Sequence, residues 1–210
     1  MKKPDGKSSL IKEVTGLILA GGKSSRFGKN KALVEVGGVR LIERVIKVMG
    51  SVFKQVIIIT NTPDEYAYLK LPMIEDLIKG LGPLGGLYTG LESISNETGF
   101  FVACDMPFLS EPLIRHIVEF RNEFDVILPK IDWKIEALHG LYNKRCLPAI
   151  RELIDSQQYQ VIRFFPKMRV KYLDEAEIRK YDPELKTFFN INEPREMPGD
   201  TGLEKHGEVK

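Results

Sequence analysis

The chain has 210 residues, of which 43% are hydrophobic and 29% charged, so it can fold around a core and is neither wholly disordered nor collagen-like. This length favours one α/β or α+β domain over two full domains. The net charge is only +2, but the first 31 residues carry +6, and a compact basic segment fits a small phosphorylated ligand better than a nucleic acid.

Apolar runs of strand length follow one another along the chain. Residues 1–12 are polar and are expected to be flexible. The predicted strands are TGLILA, QVIIIT, FFVACD and DVILP, whose apolar runs are typical of strands covered on both faces.

Helical periodicity separates these strands. Apolar residues from Leu41 to Met49 predict a helix, with Gly50 as its stop. A second helix is predicted after Pro83 and a third after Ser110, which we expect to be its N-cap. The alternation predicts an α/β fold, with a mainly parallel sheet and helices on both faces.

Beyond Lys130, the pattern predicts a strand in EALHGLY, a helix over residues 146–153, a short helix in VIRFFPKM and an edge strand in RVKYL. Hydrophobic patterning continues to about Ile191. We therefore expect one domain over residues 13–194 and a disordered tail over residues 195–210.

Membrane and secretory features are not expected. The longest apolar runs are far shorter than the roughly 20 residues that span a bilayer, and the N-terminal residues lack the apolar stretch of a secretory signal. Cys104 and Cys146 suit neither a disulfide framework nor a zinc cluster. These features predict a cytoplasmic protein with reduced thiols.

The segment LAGGKSSRFGKNK, residues 19–31, begins where the first strand ends, which is where α/β sheets bind ligands. Gly21 and Gly22 permit close approach of backbone amides to phosphate oxygens. Arg26 and Lys31 could contact the same anion. This segment therefore predicts a triphosphate-binding loop, although its spacing is not that of a Walker A motif.

Two further segments carry acids beside possible ligand sites. Asp105 ends the strand of FFVACDMP and could hold Mg²⁺ that bridges nucleotide phosphates; capping of a turn is the alternative. Asp76 precedes the glycine-rich GLGPLGG, where it could accept hydrogen bonds from a ribose or a base, or simply stabilise the turn. Gly82 and Gly85 leave room there for a ligand.

Asn190 and Asn192, in FFNINEP, place two amides on one side of a strand end. They could bind a phosphate or help orient Mg²⁺, whereas helix capping by Asn192 is the alternative. His139 lies between apolar residues, so we interpret it as a core histidine and not as a catalytic one.

Taken in order, LAGGKSSRFGKNK, IED with GPLGG, ACDMPF, GLY and NINEP resemble the molybdenum cofactor guanylyltransferases, the MobA-like nucleotidyltransferases. The resemblance covers about residues 15–195. It implies a Rossmann-like nucleotidyltransferase fold, dependence on Mg²⁺, and transfer of GMP from GTP to the molybdopterin form of the molybdenum cofactor with release of pyrophosphate.

The resemblance also implies roles for individual residues. Leu19, Ala20 and Gly21 would meet GTP through backbone atoms, and Lys31 would contact phosphate. Asn61 and Asp76 would lie along the guanosine, and Asp105 would be the metal ligand. Asn30 departs from the family, which often has Asp immediately before the lysine.

The sequence alone leaves other activities open. The same loop could transfer CMP to molybdopterin or a nucleotide to a sugar phosphate, and a non-catalytic nucleotide-binding protein could keep the fold. GTP and molybdopterin are the expected partners, with other molybdenum cofactor biosynthesis proteins as possible ones. We expect a monomer or weak oligomer.

Overall fold

Strands and helices alternate along the chain in the computed structural model, which describes residues 9–21 and 30–189. Within these ranges the strands are β1 Val14–Leu19, β2 Glu35–Val36, β3 Val39–Arg40, β4 Val56–Ile59, β5 Met73–Ile74, β6 Thr98–Ala103, β7 Val126–Ile131, β8 Lys134–Ile135, β9 His139–Asn143 and β10 Val170–Leu173. The α-helices are α1 Leu41–Val52, α2 Pro63–Tyr66, α3 Pro83–Ser93, α4 Glu111–Glu119, α5 Leu147–Asp155 and α6 Glu175–Ile178. Short 3-10 helices are Lys31–Leu33, Ala67–Leu69, Lys144–Cys146, Val161–Lys167 and Lys186–Phe188.

The main sheet has the order β10-β7-β9-β6-β1-β4-β5. Strand β1 lies parallel to both β4 and β6, and β4 lies parallel to β5. Strand β9 is antiparallel to both of its neighbours, β6 and β7, so these two strands run in the same direction. The predicted mainly parallel sheet is confirmed, with one antiparallel strand inside it.

Apolar side chains on both faces of this sheet explain its uninterrupted runs of hydrophobic residues. Ile18 packs into one core cluster with residues of α1 and α4. Its neighbours Leu17 and Leu19 point to the other face and pack with residues of α3 and α5. Successive strand residues point to opposite faces, so a strand between two helical layers must be apolar at every position.

Most predicted elements are confirmed, but several boundaries differ: β6, for example, ends at Ala103 and not at Asp105, and α5 spans Leu147–Asp155 and not 146–153. Helix α1 continues past Gly50 to Val52, because Val52 and the following Phe53 are buried and complete its apolar face. The strand predicted in EALHGLY begins only at His139. Ser110 caps α4 as predicted, with its hydroxyl accepting a hydrogen bond from the backbone N–H of Leu113.

The paired backbone extends N-terminal to residue 13. Ile11 forms a parallel bridge with Phe53, and its N–H donates to the carbonyl of Val52 at 2.8 Å. At the other end, the predicted edge strand RVKYL is confirmed as β10, which pairs with β7 at the border of the sheet. Among the described residues, no helix is both long and apolar enough to cross a bilayer.

Candidate functional site

Four predicted site residues lie in one row along an edge of the sheet. Each follows the end of a parallel strand by two positions: Asp76 after β5, Asn61 after β4, Gly21 after β1 and Asp105 after β6. The register pairs Ile74 with Ile59, Ile59 with Leu19, and Leu19 with Ala103, so the four strands end at the same level. These four residues therefore lie along the carboxyl edge, where open α/β sheets bind ligands.

Asn61 and Asp76 are joined by two hydrogen bonds. The side-chain amide of Asn61 donates to Oδ2 of Asp76 at 2.7 Å, and the backbone N–H of Asp76 donates to Oδ1 of Asn61 at 3.2 Å. The other carboxylate oxygen, Oδ1 of Asp76, is buried and has no hydrogen-bond partner in the described part of the chain. A buried acceptor without a donor favours a ligand that brings one.

Asp105 is partly buried. Burial raises the pKa of its carboxyl group, and a hydrogen bond from its own backbone and the positive charge of Lys31 oppose that rise. The predicted phosphate-binding lysine is therefore close enough to the predicted metal ligand for its charge to influence the pKa of that carboxyl group.

Asn30 positions Lys31. Its Oδ1 accepts a hydrogen bond from the backbone N–H of Ala32, which makes Asn30 the N-cap of the 3-10 helix Lys31–Leu33. Its Nδ2 donates to Oε2 of Glu65 and to the hydroxyl of Tyr66, both at 2.7 Å. The short helix is therefore fixed to α2. Sequence reasoning missed Glu65 and Tyr66, because they lie 35 and 36 positions from Asn30 and belong to no motif.

The glycine-rich turn after Asp76 leads into α3. Gly82 precedes the helix with a φ of +60°, a conformation that side chains disfavour. Gly85 is buried, and a Cβ there would lie 3.2 Å from the carbonyl oxygen of Ile78. Close packing of the turn on the helix is therefore one sufficient reason for glycine at position 85.

Leu19 and Ala20, which are predicted to contact the nucleotide through their backbone, already use part of that backbone in hydrogen bonds of the sheet. The N–H of Ala20 donates to the carbonyl of Ile59 at 2.9 Å, and the carbonyl of Leu19 accepts from the N–H of Cys104 at 3.2 Å. The Leu19 side chain is buried against α3. Gly21 is exposed. Gly22, Arg26, Asn190 and Asn192 were also predicted to bind ligand and lie outside the described residues.

His139 is fully buried on β9, as expected of a core histidine. Its ring packs edge-on against Phe100 and Phe188, at centroid distances of 5.3 and 5.5 Å. Neither ring nitrogen has a hydrogen-bond partner among the described residues. Burial lowers its pKa to about 3, so the ring is neutral at physiological pH.

A mainly parallel sheet with charged side chains at its carboxyl edge defines the class as an α/β protein with a candidate ligand site at that edge. Comparison with known proteins narrows this class. The family described as "MobA-like NTP transferase domain" matches residues 16–171. The chain belongs to this family of nucleotidyltransferases.

Named relatives cover nearly the whole chain. A "Molybdenum cofactor guanylyltransferase" from Desulfosudis oleivorans is 35% identical over 198 residues, which are 93% of this chain and 98% of that protein. A "Probable molybdenum cofactor guanylyltransferase" from Pelotomaculum thermopropionicum is 38% identical over 185 residues, 88% of this chain and 90% of the relative.

A solved structure agrees with the same family. The crystal structure of molybdopterin-guanine dinucleotide biosynthesis protein A from Archaeoglobus fulgidus superposes with a TM-score of 0.75 at 26% identity. The match covers 86% of this chain and 93% of that one. The similarity therefore extends over the sheet and its helices.

Proposed function

We propose that this protein transfers GMP from GTP to the molybdopterin form of the molybdenum cofactor and releases pyrophosphate. The observation that supports this most strongly is the row of Asp76, Asn61, Gly21 and Asp105 at the ends of four aligned strands. Relatives named as guanylyltransferases favour GTP and a molybdenum cofactor acceptor over the alternatives. We also propose that the protein is cytoplasmic, because the cytoplasm supplies GTP for a biosynthetic reaction of this kind.

In this proposal the guanosine lies over β4 and β5. Oδ1 of Asp76 is buried without a donor, and Asn61 holds the rest of that carboxylate in place. Ribose hydroxyls and the N–H groups of guanine are the donors that this oxygen lacks. The neighbouring turn, with Gly82 at its end, leaves the nucleoside room to approach the backbone.

The triphosphate lies over β1, between the nucleoside and Asp105. Lys31 supplies a cation whose position is set by Asn30, and Gly21 begins the loop that approaches the phosphates. Arg26 and Gly22 belong to the same sequence segment, residues 19–31, and we propose for them the same role in phosphate binding. Asn190 and Asn192 are proposed to contact the acceptor.

Asp105 fits a magnesium ligand. Mg²⁺ in phosphate-transfer sites is held by one or two carboxylates together with substrate phosphates and water, so a single protein carboxylate is sufficient. Burial raises the pKa of Asp105, and a bound cation would relieve that unfavourable environment. When bound, Mg²⁺ would neutralise phosphate charge.

The transfer itself needs no nucleophile from the protein. A phosphate oxygen of the acceptor attacks the α-phosphorus of GTP, forms the new P–O bond, and the bond to pyrophosphate breaks on the opposite side. The attacking phosphate is already ionised, so no general base is required.

Cys104 is adjacent to Asp105, but burial raises the pKa of its thiol to about 12, which argues against a thiolate nucleophile. Catalysis then consists of positioning and charge neutralisation.

A nucleotide panel tests this function. The purified protein is incubated with molybdopterin, Mg²⁺ and each of ATP, GTP, CTP or UTP, and pyrophosphate release is measured. We expect release with GTP. Release with CTP alone would assign the cytidylyltransferase activity instead, and GTP binding without release across plausible acceptors would assign a non-catalytic nucleotide-binding protein.

Lys31→Ala tests the phosphate contact. We expect kcat/KM to fall about 100- to 1000-fold, the loss of about 2.7–4 kcal/mol seen when one transition-state donor is removed. Lys167→Ala is the control, because Lys167 pairs with Glu152 and follows no strand of the candidate site. Turnover by Lys31→Ala within a few-fold of the parent protein would contradict the role of Lys31.

A further inference from the structure

A cavity of about 480 Å³ opens beside the β7–β8 hairpin. Its described lining comes from the hairpin, from Glu136 and from the segment Glu184–Phe189. This volume lies within the range of about 300–1,000 Å³ that is typical of small-molecule sites. None of the residues assigned above to the nucleotide lines it.

Trp133 is the most conspicuous part of this cavity. It is the single tryptophan of the chain, and 88% of it is exposed, although tryptophan is usually largely buried. It occupies the turn of the hairpin, where Asp132 adopts a φ of +53° between β7 and β8. An exposed indole beside a cavity offers a flat surface for stacking on an aromatic ligand.

The hairpin lies at the same edge of the sheet as Asp105. Strand β9 is antiparallel to both β6 and β7, so β7 runs parallel to β6 and the two strands end at the same side. One strand, β9, separates them, which places β6 and β7 roughly 10 Å apart. The cavity is thus on the opposite side of Asp105 from Asn61 and Asp76.

The cavity wall is joined directly to the turn that carries Asp105. The ring of Phe189 contacts that of Phe108 at a centroid distance of 6.3 Å. The hydroxyl of Thr187 donates to the carbonyl of Phe108 at 3.3 Å and accepts from the N–H of Ser110 at 3.0 Å. A ligand in this cavity would therefore adjoin the phosphate-transfer site without overlapping the nucleoside.

The described lining carries more acids than bases, which disfavours phosphate. Two lysines of this lining pair with acids: Lys134 with Glu136 at 2.6 Å and Lys186 with Glu184 at 2.8 Å. Asp132 adds a third carboxylate to the described lining. Carboxylate oxygens accept hydrogen bonds, so the lining suits a ring system whose edge carries N–H donors. A pterin has such an edge, with an amino group next to a ring N–H.

We infer that this cavity, with Trp133 as its stacking surface, holds the pterin ring system of the acceptor while the acceptor's phosphate reaches towards Asp105. The inference rests on the proposed function, because it assigns a place to the second substrate. It divides the sheet edge into a nucleoside side over β4 and β5 and a pterin side at β7. Glu136 and Glu184 are the acceptors for the pterin edge.

Trp133 also reports on this site. In the wild-type protein, molybdopterin added without GTP should quench tryptophan fluorescence in a saturable manner. In steady-state assays, Trp133→Ala should raise KM for molybdopterin about tenfold, the effect expected of one lost stacking contact, and leave KM for GTP within about twofold. Trp133→Phe keeps an aromatic ring and should recover most of this loss.

Tyr159→Ala is the matched control, because Tyr159 is exposed but does not line the cavity. An unchanged KM for molybdopterin in Trp133→Ala, or an equal rise in KM for GTP, would overturn the inference even if the wild-type protein forms the guanine dinucleotide. Saturable quenching by molybdopterin without pyrophosphate release from GTP would overturn the proposed function and support the pterin site.

Discussion

Lys31 and Asp105 are 74 positions apart in the chain, yet the charge of the lysine acts on the carboxyl group of the aspartate. The strand ends could be predicted from the sequence, because apolar runs and glycines mark them clearly. The hydrogen bonds of Asn30 could not, because they depend on how a loop and α2 pack together. At this scale, the sequence identifies charged groups but does not reveal which groups hold them in place.

Asn30→Asp tests the positioning of Lys31. Aspartate can still accept from Ala32, but it lacks the amide that donates to Glu65 and Tyr66 and places a like charge beside Glu65. We expect kcat/KM with GTP to fall about tenfold, in line with two lost hydrogen bonds. Adding Glu65→Gln supplies a donor and should restore most of the activity. If both variants fold and the added Glu65→Gln does not restore activity, Asn30 does not position Lys31 through Glu65.

Asp105→Asn should make the protein more stable but less active. Burial raises the pKa of Asp105 in the folded protein, so its negative charge lowers the free energy of unfolding at neutral pH. The neutral amide should raise that free energy, whereas most substitutions lower it by about 1 kcal/mol. Mg²⁺-dependent turnover should fall by at least about 100-fold.

Urea unfolding at several pH values measures this effect. The stability gain of Asp105→Asn should shrink as pH falls through the raised pKa, because the wild-type carboxyl group is then neutral as well. A less stable variant with near-normal turnover would instead assign Asp105 to capping of the turn.

At the scale of elements, length decides what can be predicted. β1 and β6, each of six residues, have long apolar runs and were predicted. β5 has only two residues, too few for any periodicity, and it was missed although Asp76 follows it. The antiparallel direction of β9 was also not predictable, because an apolar run does not encode the direction of its neighbours. The helix boundary at Gly50 was wrong because packing of Val52 outweighed the local signal for a stop.

Two glycines in helices provide a matched test of packing. A Cβ at Gly90 of α3 would lie 2.6 Å from Cε1 of Phe101 and 2.9 Å from Cδ1 of Ile59, closer than side chains tolerate. Gly90→Ala should therefore lower the free energy of unfolding by about 1–3 kcal/mol. A Cβ at Gly50 of α1 meets nothing within 4 Å, so Gly50→Ala should raise it by about 0.4–1 kcal/mol. Chemical denaturation measures both, and equal effects would contradict this account of the α3 interface.

For the whole molecule, the sheet is both core and scaffold. Its two apolar faces hold the helices, and its strand ends place the candidate site residues along its carboxyl edge. The general architecture, and the edge at which we expect a ligand to bind, followed from alternation of strands and helices. The cavity beside the Trp133 hairpin did not, because β8 is too short to predict and only Phe188 and Phe189 of the segment Glu184–Phe189 belong to a motif, FFNINEP.

The core also contains a built-in sensitivity to acid. His139 is neutral when folded because burial lowers its pKa to about 3, whereas the unfolded chain binds a proton near pH 6.5. Below pH 6.5 the unfolded state binds more protons, so His139 lowers the free energy of unfolding by about 1.4 kcal/mol for each pH unit.

His139→Phe should make the protein less sensitive to acid between pH 6.5 and pH 4, as measured by urea unfolding. His116→Gln leaves His139 in place and should keep the acid-dependent loss. An identical pH dependence in wild-type and His139→Phe proteins would show that protonation of His139 is not coupled to unfolding.

The central claim is that four aligned strand ends form one nucleotide site. A crystal structure of the protein with GTP and Mg²⁺ tests it most directly. We predict guanosine against Asn61 and Asp76, phosphates beside Gly21 and Lys31, and the metal on Asp105. A nucleotide bound away from this edge, or one whose phosphates approach neither Lys31 nor Asp105, would contradict the claim.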